Sequence, residues 1–373
     1  MPLVCQVISG YHRNDARIFR RQSISLKNSG FNVTVLTNDG LEGEVVDGIK
    51  FIKCEKRYAR TKELLLATKQ FKNKAFEINA DIYVLHSPEL LPLGIKLRKA
   101  GKIVVYDAHE DLPRHILEKE WVPKVFRKPL SFAIEKYMNY ALAKFNAVIT
   151  PLSHIIDHFR IINSNTLLVA NFPIIKPFAK FTLEEYCKRE PIICYSGTAY
   201  RYSNQIAILD AIQSIENVSY EIAGHIDEEL FAQMKSHTAK SKFSYLGRIN
   251  SVELDIFYSK MRVGLVIYDY KLNLGYKLGS YGTNKIFEYM EAALPIICTD
   301  YELWKNIVDK YNCGICIQPG DTKQIYEAIS FLLNNPEEAY RMGQNSRRAV
   351  ENEFNWQTHQ KDFLKLFKFN NDL

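Results

Sequence analysis

The sequence predicts an α/β protein made of two doubly wound, parallel-sheet domains. Three observations lead to this class. The chain has 373 residues, more than one ordinary hydrophobic core serves. Short apolar runs of strand character alternate with helical periods along its whole length. Those runs are continuously apolar, as strands covered on both faces are. Apolar residues make up 47% and charged residues 24% of the chain, which excludes a disordered, collagen-like or low-complexity protein. No short repeat period is present, so a solenoid is excluded as well.

The elements follow in order. Residues 3–9 form an apolar strand, and 15–28 a helix closed by Gly30, whose free left-handed conformation suits a helix end. FNVTVLT (31–37) alternates Phe31, Val33 and Val35 and reads as a strand. Residues 62–79 carry Leu64, Leu65, Phe71 and Phe76 at helical spacings. DIYVLH (81–86) is a strand, 88–100 a helix stopped by Gly101, and KIVVYD (102–107) a strand. One long helical region covers about 113–146. AVIT (147–150), a helix at 153–162 and TLLVAN (166–171) complete the first half. Two prolines in 171–181 break the rhythm, which places a linker over 173–190. The second half then repeats the pattern. Strands are predicted at 191–197, 219–224, 243–247, 262–268, 295–300 and 314–319, and helices at 203–215, 227–237, 251–260, 284–294, 321–334, 336–353 and 356–369.

Charge divides unevenly. Residues 1–180 hold 28 Lys and Arg against 17 Asp and Glu; residues 181–373 hold 21 against 25. The first half therefore faces something anionic: nucleic acid, a membrane surface or a phosphorylated ligand. The N-terminus lacks the basic stretch and apolar core of a signal peptide, and no window is long enough to span a bilayer. A cytoplasmic protein, or one peripheral on the inner face of the cell membrane, is expected. The seven cysteines are scattered; Cys5, Cys194 and Cys298 read as small buried hydrophobes, and no disulfide framework is expected.

Parallel-sheet domains bind ligands beyond the carboxyl ends of their strands, so chemistry is sought there, in a cleft between the two domains. The most informative segment runs from Gly279 to Asp300. A Gly- and Ser-bearing loop leads into a helix at Asn284 with Thr283 as N-cap. The free N–H groups of that first turn and the helix dipole make an anion site. Lys285 in the same turn opposes the dipole, and a bound anion offsets that cost. Glu288, one turn later, either accepts hydrogen bonds from ribose hydroxyls or is merely solvated.

TNKIFEYMEAALPIICTD, residues 283–300, resembles the donor-binding signature of retaining GT-B glycosyltransferases of family 4. Further segments resemble that family in the expected order. They are His12–Phe19 (HRNDARIF), Tyr106–Glu110 (YDAHE), Val169–Pro173 (VANFP) and Ser196–Thr198 (SGT). Then come Glu221–Gly224 (EIAG), Tyr245–Gly247 (YLG) and Cys313–Asp321. The resemblance covers nearly the whole chain. It implies two Rossmann-like domains facing a cleft. The acceptor-side domain would be residues 1–172 plus 356–373, and the nucleotide-sugar domain 191–355, with the C-terminal helix crossing back to the first. It also implies an active-site role for His109, which follows a strand. Two departures stand out. The family's first glutamate, seven residues before Glu288, is replaced by Ser280. Its Arg and Lys after the first C-domain strand leave only Arg201 here.

These readings assign Arg201 and Lys285 to the diphosphate, Glu288 to the ribose, and His109 to the reacting centre. The donor would be surrounded by Gly10, His12, Gly197, Thr198, Gly224, His225, Ser280, Gly282, Thr283 and Asn284. Asp15, Arg17 and Glu110 fall on the acceptor side; Arg17 either binds phosphate or pairs with Asp15. Asp111 caps the following helix. The function expected is transfer of a hexose from a nucleotide-sugar to a glycan or lipid-linked acceptor in surface polysaccharide assembly. Retention is expected, with no cofactor or metal, since no Asp-x-Asp is present. The alternatives are inverting transfer, sugar-nucleotide epimerisation, or a catalytically weak partner subunit. The pair His154 and His158 reads as a solvated helix face rather than a zinc site, and Cys316 as core rather than half of a redox C-x-x-C. Lys50, Lys53, Lys56, Arg57, Arg60 and Lys62 with Tyr58 lack any nucleic-acid motif, so nucleic acid is not an expected partner. They read as a loop facing anionic lipid or a pyrophosphate-linked acceptor. Lys124, Arg127 and Lys128 near Trp121 and Phe126 have the same character.

Overall fold

The computed structural model describes residues 1–54 and 60–368, with the backbone alone for 60–68 and 251. The chain forms two compact units, Met1–Asn171 with Trp356–Leu373, and Phe172–Asn355.

The first unit is built on eight strands: β1 Leu3–Ile8, β2 Asn32–Thr37, β3 Glu44–Val46, β4 Ile49–Lys53, β5 Ile82–Leu85, β6 Ile103–Asp107, β7 Ala147–Thr150 and β8 Thr166–Leu168. They lie in the order β3-β4-β2-β1-β5-β6-β7-β8. Every neighbouring pair is parallel except β3 with β4. The apolar runs are buried as their composition requires: Val4, Val7, Val84, Val105 and Val148 are fully enclosed. The chain leaves β1 for β2 on one side and reaches β5 on the other. The switch point of the winding is therefore between β1 and β5, where a crevice opens. The helix Trp356–Lys365 packs on this unit. Trp356 Nε1 donates to Ser25 Oγ at 2.8 Å, and Phe367 meets Phe31 edge-on.

The second unit has six parallel strands: β9 Ile192–Ala199, β10 Ser219–Ile226, β11 Phe243–Gly247, β12 Val263–Val266, β13 Ile296–Thr299 and β14 Gly314–Ile317. Their order is β11-β10-β9-β12-β13-β14, with the switch point between β9 and β12.

The structure departs from the sequence reading in four places. The segment 44–53, where Lys50 and Lys53 read as loop, is the hairpin β3–β4. Its turn is Asp47-Gly48, both left-handed, the pair that hairpin turns prefer. The long helix expected over 113–146 is two helices, Leu112–Glu118 and Lys124–Leu142. Pro123 at the second N-cap position has no N–H to continue the first. The helix Glu302–Tyr311, absent from the reading, joins β13 to β14 and buries Trp304, Ile307 and Val308. The stretch 173–190 is not featureless. It holds the helix Leu183–Cys187, opened by a Thr182–Glu185 capping box, and Tyr186 donates its hydroxyl to the Arg262 carbonyl at 2.9 Å.

Gly224 on β10 pairs in register with Gly197 on β9, and both have positive φ, 133° and 97°. A Cβ at Gly224 would lie 2.1 Å from the Gly197 carbonyl oxygen. Gly224→Ala therefore forces two central strands apart and should cost about 2 kcal/mol or more. Chemical denaturation checks this; an unchanged midpoint would contradict the close approach of the two strands.

Candidate functional site

The first site forms where β1, β5 and β6 end. Ser9, Gly10 and Tyr11 follow β1, His86 to Glu89 follow β5, and His109, Glu110 and Leu112 follow β6. With Tyr106 they enclose a cavity of about 260 Å³. Beneath it lies Asp107, the last residue of β6, with no solvent exposure. Arg17 grips its carboxylate with two hydrogen bonds, Nε to Oδ2 at 2.9 Å and Nη2 to Oδ1 at 2.7 Å. Gln22 Nε2 donates to Oδ2 at 2.6 Å, and His109 Nε2 stands 3.1 Å from the same oxygen. His86 Nδ1 lies 3.2 Å from His109 Nε2 and 3.3 Å from Asp107 Oδ2, while its Nε2 meets Gln6 Oε1 at 2.6 Å.

The electrostatics of this cluster are set by burial and by Arg17. Burial alone would raise the Asp107 pKa; Arg17 and then the two histidines outweigh it and hold the carboxyl well below its usual range. Burial pushes the His86 pKa down against the pull of Asp107, so His86 is neutral. His86 Nε2 contacts Gln6 Oε1, and its Nδ1 contacts both His109 Nε2 and Asp107 Oδ2. His109 is thereby anchored through Nε2, with its ring edge at the cavity and against Tyr11, 4.7 Å between ring centres. His86, Asp107 and His109 are also the group that could hold a metal ion, since their ligand atoms lie 3.1–3.3 Å apart. Asp107 Oδ2, however, already accepts from Arg17 and Gln22. Glu89 lines the cavity with no ion pair or side-chain hydrogen bond among the described residues.

The second site forms where β9, β10 and β12 end. The helix Asn284–Glu291 begins here, and Thr283 at its N-cap makes no side-chain cap bond. Lys285 Nζ comes so close to Gly197 that a Cβ there would lie 2.9 Å from it. It sits over the rings of Tyr195 and Tyr268, at 5.2 and 5.7 Å, and no carboxylate pairs with it among the described residues. An unpaired cation with open helix amides is a site for an anion. Asn284 Oδ1 is buried without a partner among the described residues. Ser280 is buried; its Oγ accepts from the Gly282 amide at 3.0 Å, and its carbonyl accepts from Trp304 Nε1. Glu288 accepts from the Tyr258 hydroxyl at 3.1 Å, and Tyr258 meets Ser196 Oγ at 2.7 Å. Thr198 accepts at its carbonyl from Tyr195, and His225 is exposed beside Thr198 on the neighbouring strand.

Of the residues predicted from sequence, the structure gathers Gly10, His109 and Glu110 in the first site. It gathers Gly197, Thr198, Gly224, Ser280, Gly282, Thr283, Asn284 and Lys285 around the second. Arg201 pairs with Glu229 on the helix Glu228–Ser236 and lines another cavity. Arg17 neither pairs with Asp15 nor lies open to phosphate. Its guanidinium is buried on Asp107, the Val169 carbonyl and Asn171, while Asp15 caps the following π-helical segment Ala16–Ser23. His12 is exposed. Glu110 is exposed and bonds His115 at 3.0 Å, which lowers its pKa. Asp111 caps its helix at the Arg114 amide. His154 is not solvated: it is buried, 3.4 Å from Asp111. Cys316 is half-buried, its sulfur 3.8 Å from Cys298. Lys56, Arg57 and Tyr58 lie outside the described residues, as do the side chains of Arg60 and Lys62. His86 and Glu89 were missed. The signal was available, since HSPE directly follows an apolar strand at the winding's switch point.

Residues 183–349, most of the second unit, match the family model described as Glycosyl transferases group 1. Spore coat protein SA of Bacillus subtilis (strain 168) is 32% identical over 85 residues, a match that spans 22% of this chain and 22% of that protein. Three solved structures are similar over nearly the full length. Sucrose-phosphate synthase from Thermosynechococcus elongatus has a TM-score of 0.77 at 15% identity, covering 99% of this chain and 98% of that one. WaaG, a glycosyltransferase involved in lipopolysaccharide biosynthesis, scores 0.72 at 15% identity, covering 98% and 100%. Anabaena Alr3699/HepE, in complex with UDP and glucose, scores 0.69 at 12% identity, covering 98% and 99%. Residues 183–349 are thus similar to the Glycosyl transferases group 1 family, and the chain has the two-unit α/β GT-B fold.

The buried cluster makes stability depend on pH with a definite sign. Both His86 and Asp107 have folded pKa values below their unfolded ones. The unfolded chain therefore binds more protons as pH falls, and the native state loses stability. The melting temperature should decline as pH drops below about 6.5, the unfolded histidine value, and again below about 3.9 for Asp107. His86→Gln should remove the first decline. Parallel profiles for the two proteins between pH 7 and 5 would contradict a buried neutral His86.

Proposed function

We propose that this protein transfers a sugar from a nucleoside-diphosphate sugar to a hydroxyl group of a glycan or lipid-linked acceptor. One observation carries the reading: Lys285 stands unpaired at the start of the helix Asn284–Glu291, against the backbone of Gly197. A diphosphate gains negative charge as it leaves the anomeric carbon. A fixed cation and first-turn amides favour that charge over the ground state. Gly197 leaves room for the phosphate, because a side chain there would fall on Lys285. Glu288, oriented by Tyr258, is suited to the ribose hydroxyls. The cavity of the first unit, with Glu89 open and His109 anchored from below, is suited to sugar hydroxyls.

Retention of configuration is part of the proposal. It rests on the resemblance of residues 283–300 to retaining family 4 enzymes. In the front-face version the acceptor oxygen bonds the anomeric carbon on the face the phosphate leaves. The acceptor proton passes to the departing phosphate oxygen, so no separate base is required. Metal independence is proposed as well, because Asp107 is engaged by Arg17 and Gln22. The structural likeness to a glycosyltransferase of lipopolysaccharide biosynthesis supports surface polysaccharide assembly as the setting.

Lys285→Ala should lower turnover by about 10²-fold or more and abolish the rise in melting temperature on adding UDP or another nucleoside diphosphate. An unchanged response to every nucleotide would remove Lys285 from the donor site. Glu89→Gln should raise the acceptor KM about tenfold while nucleotide binding stays as in the parent protein. EDTA should leave turnover intact. Loss of activity restored by a divalent ion would instead place a metal on His86, Asp107 and His109.

A further inference from the structure

The helix Lys124–Leu142 buries one side through Ser131, Met138, Ala141 and Leu142. Its other side is uncovered. Phe126 and Phe132 are each 61% exposed, and Val125, Tyr137 and Tyr140 continue the same stripe at helical spacing. Trp121, 65% exposed, precedes it. A soluble surface rarely leaves so many large apolar side chains together on one helix. Cations share the stripe: Lys136 Nζ lies 5.4 Å over the Phe132 ring and Lys144 Nζ 4.6 Å over Tyr140.

We propose that this helix face docks onto the headgroup region of an anionic lipid bilayer, lying in the membrane plane. The charge balance selects this occupant. From residue 119 to 144 there are six Lys and Arg against Glu120 and Glu135. Glu135 is already engaged by Arg114 at 2.8 Å, so the cations outnumber the available carboxylates. A second copy on this face would set lysines against lysines. The apolar residues are mainly aromatic, the kind that settle at the boundary between headgroups and acyl chains, and lysines laid over aromatic rings can reach outward to phosphate. Among the described residues no helix is long and apolar enough to cross a membrane, which fits a helix that rests on one. The inference stands on this surface alone and does not depend on the donor site.

Trp121 supplies the readout. The chain has three tryptophans, and Trp304 and Trp356 are buried. Vesicles containing phosphatidylglycerol, mixed with the full-length protein, should pull it down on sedimentation and shift its tryptophan emission to the blue. Vesicles of phosphatidylcholine alone should do so at least tenfold more weakly. The double variant Phe126→Ser, Phe132→Ser should lose about tenfold in vesicle affinity while its melting temperature stays within a few degrees of the parent. A Trp121→Phe variant should sediment with vesicles without the emission shift. Equal binding to both vesicle types, no binding to either, or full binding by the double variant would overturn the proposal. So would a concentration-dependent dimer that the double variant abolishes, which would assign the face to a second copy.

Discussion

The buried pair of Arg17 and Asp107 is the constraint on which the first unit depends. Two opposite charges are taken out of water, which is costly for each alone. The cost is offset by a two-pronged contact and by further bonds to Gln22, the Val169 carbonyl and Asn171. Those partners come from the π-helical segment after β1, from the end of β6 and from the chain beyond β8. One ion pair thus ties together three segments that the sheet itself leaves apart. It also decides what the histidines can be. With its carboxylate held ionised, Asp107 offers a fixed acceptor to His109, while His86 is kept neutral by burial. The cavity above inherits a histidine whose ring is oriented from below.

The second unit solves the opposite problem. Its candidate site holds a cation with no carboxylate partner among the described residues, where a cation normally finds one. Lys285 is kept from doing so by its surroundings. The rings of Tyr195 and Tyr268 and the bare backbone of Gly197 occupy the space around the ammonium group. Burial keeps Tyr195 protonated, so it provides no counter-charge. Gly224 beside Gly197 keeps this corner of the sheet free of side chains. Where the first unit buries its cation in bonds, the second leaves its cation in an aromatic and glycine-walled recess.

The sheets were legible in the sequence because burial on both faces leaves a plain mark. The strands β9, β12 and β13 of the second unit and the core strands of the first coincide with apolar runs. Elements with weaker marks escaped. The hairpin β3–β4 carries charged residues on a three- and a five-residue strand, and the helix Glu302–Tyr311 sits between two strands that drew attention first. At the site, Lys285 was legible because a lysine in a first helical turn is locally unfavourable, and such conflict points to function. Arg17 was not. Its partner lies 90 residues away, and no local pattern tells a phosphate-binding arginine from one buried in an ion pair. The pairing of Arg201 was illegible for the same reason, since Glu229 is brought to it only by the packing of the helix Glu228–Ser236.

The charge asymmetry takes on a different meaning in the folded protein. The first half is strongly basic, yet its cavity is lined by Glu89 and Glu110, with no Lys or Arg in its wall among the described residues. Tyr11, pushed up in pKa by burial and by those neighbouring acids, faces the cavity as a neutral phenol. Such a pocket suits hydroxyl groups and disfavours phosphate. The arginines that follow β1 are consumed internally, Arg13 by Asp39 and Glu44 and Arg17 by Asp107. Part of the uncompensated positive charge instead lies outside, on the helix Lys124–Leu142 beside exposed aromatic rings. Net charge and site charge therefore have opposite signs in this unit. The first is a property of the surface it presents to a partner, and the second of the ligand its cavity can hold.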